Sequence, residues 1–346
     1  MRILVTGANA PGTSGTVYSM NHSDFLSNPL ALYGSDEFPL RHNPLFEKVT
    51  QLPNGGDQNY EYALEQFCRK ERIDLVIPQT TSENSYFTET LSKKRDFAIS
   101  VLKSTKSTIN LNSKIQTYKF ISKLNVARED FRICETFDQL VAFQEANHGT
   151  NFFLKADELS GGRGIVKVVP DISKTVLEKA RSFHVVGPEG LQEVFNVLNN
   201  GNGVVAQQEA IGKEFSIDCY RDENLIISVP RTRDLVRAGI SQQTTVTQQK
   251  VLSDFASRFG EELGLEGIFG LQCIVTEPNG FSFLECNPRI QGTMVASTIA
   301  GENIIARGAR LALGMPQIPL QPISWGTVYR RTWSGFGYSE DNVYEI

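Results

Sequence analysis

The 346-residue chain has little of what marks a secreted or metal-stapled protein. Its five cysteines, Cys68, Cys134, Cys219, Cys273 and Cys286, are odd in number, far apart and without a CxxC pair. That pattern excludes a disulfide scaffold or zinc knuckle and fits reduced thiols in the cytoplasm. Only four histidines occur, at 22, 42, 148 and 184, none in a triad pattern, and GxSxG is absent. No protein nucleophile is therefore expected. No window approaches a membrane span, and the opening MRILVTGANAPG interrupts its apolar run too early for a signal peptide. Nor does one sign of charge dominate: 34 Lys and Arg against 39 Asp and Glu leave a net −5. The balance argues against a nucleic-acid or acidic-membrane surface and still permits a local basic cleft for phosphates.

What is present has the rhythm of an α/β protein with two or three domains. Ile3, Leu4 and Val5 read as a strand that meets Gly7, Gly12 and Gly15. The glycine spacing fits neither a dinucleotide fingerprint nor a Walker loop, so tight turning is the simpler reading. A helical pattern at 59–70 runs into IDLVIP at 73–78, making residues 1 to about 105 a small α/β domain. A helix is expected over 112–124 and strands at 151–155, 166–169, 203–209, 214–220 and 225–229. Helical patterns occupy 173–181, 189–198 and 248–263, the last stopped by Gly264, and Tyr329 to Trp333 reads as the closing β element.

The stretch FLECNPRI, 283–290, places a carboxylate and an amide where a strand should bury apolar side chains. With the preceding GLQCIVT, 270–276, it brackets Glu277, Pro278, Asn279 and Gly280, a tight-turn signal. Pairing Glu277 with Gly280 sets Gln272 opposite Glu285, with Cβ atoms roughly 5 Å apart. Period two adds Asn287 to that face, with Phe281 and Phe283 farther back along it. Three oxygen donors suit a hard divalent cation such as magnesium, and Arg289 stands where it can meet a phosphoryl group. A polar strand end with a Glu285–Arg289 surface pair satisfies the same pattern. Upstream, Lys155 precedes Gly161, Gly162 and Gly164, whose N–H groups suit phosphate oxygens, although such a loop is also an ordinary surface turn.

Together, Gln272, Glu285 and the run from Cys286 to Arg289, with LysAlaAspGluLeuSerGlyGlyArgGly at 155–164, resemble the ATP-grasp superfamily, in particular its carbamoyl-phosphate-synthase-like and carboxylate-amine ligase branch. The resemblance spans nearly the whole chain. It implies an ATP-grasp fold with an N-terminal Rossmann-like pre-ATP-grasp domain at 1–110, a linker helix and lid subdomain at 111–207, and a C-terminal subdomain with the magnesium hairpin at 208–346.

It also implies ATP and Mg2+, with Mn2+ as a substitute. Gln272, Glu285 and Asn287 resemble the metal ligands, Lys155 the lid lysine on the α- and β-phosphates, and Lys114 an earlier phosphate-binding residue. Gln208, Glu209 and Ala210 resemble the hinge that receives adenine, and Glu214 a glutamate holding the ribose. For Lys114 a solvated helix position, and for Glu214 an exposed strand start, remain alternatives. Arg289 and Lys155 are the expected catalytic cations. Arg231, Arg233 and Arg237 are candidates for clamping an acidic substrate, because guanidinium forks suit carboxylates. Gln291 offers no diagnostic chemistry. The implied activity is an ADP-forming ligase that activates a small carboxylate as an acylphosphate and joins it to an amine or ammonia in the cytoplasm, with a homodimer compatible. A nucleotide-binding regulatory or assembly protein with a degenerate fold is the alternative.

Overall fold

A computed structural model describes all residues except 24–28, 40–41, 129, 158–163, 171–183, 238, 277–279, 333–335, 340–341 and 346, and leaves the side chains of 336–339 and 342–345 undescribed. The first sheet is wholly parallel: β1 (Arg2–Thr6), β2 (Ala31–Asp36), β3 (Lys48–Gln51), β4 (Leu75–Ile77) and β5 (Ala98–Ile99), in the order β3-β2-β1-β4-β5. Both faces of β1 are covered, so its apolar residues run without interruption. Ile3 and Val5 pack with Met20, Ile305 and Ala309, whereas Leu4 packs with Tyr60, Leu64 and Phe87. Strand order reverses between β1 and β4, which opens a crevice at their carboxyl ends.

The next strands are β6 (Lys103–Ser104), β7 (Phe131–Cys134), β8 (Phe152–Ala156), β9 (Ile165–Val168), β10 (His184–Val186) and β11 (Val204–Gln208). The last five form a second sheet, β10-β9-β8-β11-β7. Helices Phe137–Ala146 and Leu191–Leu198 cover it through Leu140, Phe143, Leu191 and Phe195. Thr136 and Gln139 close a capping box that starts the first of these helices.

The third sheet contains β12 (Lys213–Arg221) and β13 (Ile226–Thr232). After β14 (Leu235–Arg237) and β15 (Ile240–Thr245) it resumes with β16 (Leu265–Thr276) and β17 (Gly280–Asn287), in the antiparallel order β13-β12-β16-β17. Helices Lys114–Leu124 and Lys250–Leu263 bury one face against Leu271, Cys273, Phe281 and Phe283. The second of these helices stops at Gly264, whose φ of 59° lies in the left-handed region that glycine adopts without penalty. Strand β18 (Val328–Arg330) joins β15. The expectation that residues 329–333 end the β structure is overturned, because β19 (Phe336–Ser339) and β20 (Asn342–Glu345) form a further hairpin. The helical pattern at 173–181 lies outside the described residues.

The β16–β17 hairpin departs from the expected register in one way. Near the turn the pairs are Thr276↔Gly280, Val275↔Phe281, Ile274↔Ser282 and Cys273↔Phe283, but beyond an irregularity they become Gln272↔Glu285 and Gly270↔Asn287. Leu284 is the extra residue of a β-bulge. A bulge shifts the alternation by one. Phe281 and Phe283 therefore enter the core with Cys286, and not the face that carries Glu285, as simple alternation predicted.

Candidate functional site

A cavity of about 330 Å³ opens where the loops after β1 and β4 meet β12, β16 and β17. The loops meet at close quarters: a Cβ on Gly12 would stand 3.0 Å from the Cα of Gly292. Arg331 ties them further, its Nη1 donating to Pro11 O and its Nη2 to Gly292 O at 2.6 Å.

Gln272, Glu285, Asn287 and Arg289 all line this cavity. Asn287 Nδ2 donates to Glu285 Oε1 at 2.9 Å, and Arg289 Nε donates to Thr81 Oγ1 at 3.2 Å. Burial pulls the Arg289 guanidinium below its ordinary value, with Glu285 opposing. Lys114, almost buried, shares a smaller neighbouring pocket with Glu285 and Asn287. Its place is fixed by Asp157, just past β8, which accepts from Ser113 Oγ at 2.9 Å and from Ile115 N at 3.2 Å. Burial lowers the Lys114 pKa, while Glu285 and Asp157 hold it up. Among the described residues no three His, Cys, Asp or Glu side chains gather as a metal site. The oxygen set is thus one carboxylate and two amides. Hard oxygens of this kind fit magnesium when phosphates supply the remaining ligands and charge.

Arg231 is buried in the cavity floor. Its Nε and Nη2 each donate to Asp218 at 2.9 Å, and Nη2 also donates to Gln291 Oε1 at 3.0 Å. Ser297 Oγ donates to the same carboxylate at 2.6 Å. Arg231 Nη1, Gln291 Nε2, Gln79 Nε2 and Ser216 Oγ are buried, lack hydrogen-bond partners, and belong to residues lining the cavity. Orphaned donors of this sort are costly unless a ligand satisfies them. Gln291, passed over in the sequence, is therefore part of the site. Gly270 makes room for it: a Cβ there would meet the Gln291 side chain at 2.2 Å.

The other two arginines behave differently. Arg233 lines the cavity but lies 2.7 Å from Glu214, and its Nη2 donates to Gly239 O at 2.9 Å. Burial raises the Glu214 carboxyl, with the Arg233 charge opposing. Glu214 thus has a cationic partner inside the protein. Arg237 is exposed on β14 and does not line the cavity.

Lys155 is enclosed beneath β17. Its Nζ donates to Tyr118 Oη at 2.7 Å, Gln207 Oε1 at 2.6 Å and Leu284 O at 3.2 Å. The same network includes Asp130, which accepts from Gln207 Nε2 at 3.0 Å and from Ser282 Oγ. Burial lowers the Lys155 pKa to about 8; Glu285 opposes the fall and Lys114 adds to it. Tyr118, Gln207, Asp130 and Ser282 gave no signal in the sequence, since each looks like an ordinary strand or helix residue. Gly161 and Gly162 lie outside the described residues; Gly164 has φ 71° and its carbonyl accepts from Ala156 N at 2.8 Å. At the expected hinge, the N–H groups of Gln208 and Glu209 are already donated to Asp130 O and Asn151 O. They are not available to a base, which leaves Ala210 and the carbonyls. The Gln208 side chain donates to Asn147 Oδ1, and Glu209 pairs with Lys167 at 2.5 Å.

Comparison with known proteins bears on the fold. Residues 205–332 match a family model described as ATP-grasp in the biosynthetic pathway with Ter operon. No curated protein matches the sequence. Among solved structures, N5-carboxyaminoimidazole synthetase from Staphylococcus aureus complexed with ADP aligns with TM-score 0.67 and 14% identity, covering 93% of this chain and 80% of that one. Biotin carboxylase from Campylobacter jejuni in a beta-gamma-ATP complex aligns with TM-score 0.70 and 13% identity, over 93% and 73%. The biotin carboxylase domain dimer of the Hydrogenobacter thermophilus 2-oxoglutarate carboxylase, with MgADP, ADP and bicarbonate, gives 0.68 and 13%, over 94% and 72%. The architecture is the ATP-grasp fold of these structures, and residues 205–332 resemble the ATP-grasp family model.

Proposed function

We propose that the protein is an ATP-dependent, ADP-forming ligase that activates a small carboxylate as an acylphosphate and joins it to an amine or ammonia. The observation that carries this reading is the set of buried, unpartnered polar atoms on Arg231, Gln291, Gln79 and Ser216, residues that line the same cavity as Glu285 and Gln272. An anion held there would lie beside the residues suited to phosphate and metal. Gln272, Glu285 and Asn287 would hold Mg2+, which when bound neutralises phosphate charge. Lys114, Lys155 and Arg289 would supply positive charge around the phosphates. The substrate carboxylate oxygen attacks the γ-phosphorus and the bond to the ADP oxygen breaks. The amine nitrogen then attacks the acyl carbon, phosphate leaves with the C–O electron pair, and the nitrogen gives up a proton. Ala210 and the hinge carbonyls would receive the base. Arg231 anchors the substrate carboxylate, while Arg233 is matched with Glu214.

Related structures bound to ADP or MgADP support the choice of nucleotide and metal, and a dimer among them makes a homodimer worth testing. Among the described residues no helix is long and apolar enough to cross a membrane. With the reduced cysteines, this supports a cytoplasmic site of action. The test is ADP release from ATP and magnesium across pooled small carboxylates, each with and without ammonia or amines. Release that depends on one carboxylate supports the ligase. The single carboxylate of the oxygen set favours a second reading, a nucleotide-binding regulatory protein. ATP binding with no carboxylate-dependent ADP release in any pool would select it.

A further inference from the structure

Strand β17 is the edge of the third sheet, and among the described residues no strand pairs with its far side. Carbonyls along such an edge need partners other than a ladder. At the bulge around Leu284 three side chains supply them. Gln207 Nε2 donates to Phe283 O at 2.8 Å, and Lys155 Nζ donates to Leu284 O at 3.2 Å. Tyr118 Oη, with one proton to give, lies 3.0 Å from Phe283 O and 2.9 Å from Leu284 O. These groups arrive from β8, β11 and the helix Lys114–Leu124, so the clamp forms only when the second and third sheets meet. Its members are also locked to one another. Lys155 Nζ donates to Tyr118 Oη and Gln207 Oε1 as well, so all three of its N–H groups have protein acceptors. Asp130 accepts from Gln207 Nε2 through one oxygen and from Ser282 Oγ through the other. A carboxylate offers only acceptors, so the Gln207 amide turns its nitrogen to Asp130 and its oxygen to Lys155. Tyr118, Gln207, Lys155, Asp130 and Ser282 are all buried, and a buried network matched in this way is rigid.

That rigidity fixes one peptide unit. Leu284 O and Glu285 N belong to the same plane, so holding the carbonyl also sets the Cα of Glu285. Bulges beside functional sites re-aim a side chain by this means, and here the side chain is the one carboxylate of the Gln272, Glu285 and Asn287 set. We infer that Tyr118, Gln207 and Asp130 are positioning residues for the divalent cation: they pin the carbonyls of the bulge and thereby aim Glu285, while none of them is itself a ligand. This inference rests on the metal set of the proposed ligase and extends it to residues up to 89 positions apart that the cation never meets.

The test is titration of the full chain with Mn2+ at a fixed concentration of ADP, without turnover. Free Mn2+ is read by electron paramagnetic resonance against a protein-free blank. The proteins are wild type, Tyr118→Phe, Asp130→Asn, Glu285→Gln and, as a packing control buried on the same helix as Tyr118, Ile121→Val. Tyr118→Phe keeps the ring and removes the hydroxyl. Asp130→Asn keeps the shape and can present an N–H that turns the Gln207 amide round. Both bind Mn2+ about tenfold more weakly than wild type, the lower end of the loss when a group that orients a metal ligand is removed. Glu285→Gln binds it more weakly still, and Ile121→Val binds it as wild type does. Adenosine, which carries no phosphate, binds all five proteins alike, and thermal melts show that each is folded. Wild-type Mn2+ binding in both Tyr118→Phe and Asp130→Asn, an equal loss in Ile121→Val, or a matching loss of adenosine overturns the inference. Weakening in Glu285→Gln with none in Tyr118→Phe and Asp130→Asn refutes this inference alone. No Mn2+ binding to wild type, or undiminished binding to Glu285→Gln, refutes the metal set beneath it.

Discussion

Arg231 and Asp218 meet across β12 and β13 through two hydrogen bonds of 2.9 Å, both side chains almost wholly removed from water. The pair fixes the guanidinium of a residue that lines the cavity and leaves its buried Nη1 without a hydrogen-bond partner. Removing one partner of a buried pair strands the other charge, at a cost of about 3–5 kcal/mol. Arg231→Met is therefore expected to lower the urea midpoint strongly, while the double variant Arg231→Met with Asp218→Leu recovers much of that loss. Carboxylate-dependent ADP release stays absent in both. A double variant no more stable than Arg231→Met would show that the pair's charge is not what sets the cost.

Glu285 is the sole carboxylate in the Gln272, Glu285 and Asn287 set. Glu285→Gln keeps the shape and removes the charge. ADP release at limiting magnesium should fall by roughly 100-fold, a loss of the size seen when one preorganised electrostatic group is removed, with partial recovery at high magnesium. The melting temperature should change little, since Glu285 is only partly buried. Unchanged turnover at limiting magnesium would remove Glu285 from the metal set.

The hairpin shows how far the sequence could be read. Gln272 opposite Glu285 was legible because the turn residues and the length of both apolar runs constrain the pairing. The side of the sheet taken by Phe281 and Phe283 was not, because Leu284 looks like any strand residue and a bulge is settled by tertiary packing. The ATP-grasp architecture was legible in the order of lid and hairpin. The neighbours that enclose Lys155 were not: Tyr118, Gln207 and Asp130 lie up to 89 positions apart and meet only through folding. Asp218 and Gln291 escaped notice for the same reason, their chemistry depending on Arg231 being buried between them.

Lys155 gives a pH signature with a fixed sign. Its pKa of about 8 in the folded protein lies below the ordinary lysine value of about 10.4. Between those two values the unfolded chain binds the extra proton, so stability increases with pH across that window, and the penalty of the buried charge is fully present below pH 8. Lys155→Met should flatten this slope in urea midpoints taken from pH 7.5 to 10. If the ammonium form also serves the phosphates, kcat/KM declines as pH rises through about 8 in the wild type. Lys155→Arg, which stays charged, should lack that decline. A decline of equal midpoint in Lys155→Arg would assign it to another group.

Gly270 separates the anion-holding role proposed for Gln291 from the integrity of the fold. An added Cβ would fall 2.2–2.5 Å from three atoms of the Gln291 side chain, and all of these belong to a flexible side chain and not to backbone. Gly270→Ala should therefore fold, because Gln291 can swing aside. In doing so Gln291 surrenders its contact with Arg231 Nη2 and carries its Nε2 away from the cavity. The expected result is a KM for the carboxylate raised about tenfold, equivalent to the loss of one hydrogen bond to a charged group, with nucleotide affinity unchanged. Gln291→Ala should reproduce the same KM without the steric insertion. An unaltered carboxylate KM in both variants would show that the anion is held elsewhere in the cavity, whereas a loss of nucleotide affinity would place Gln291 at the phosphates.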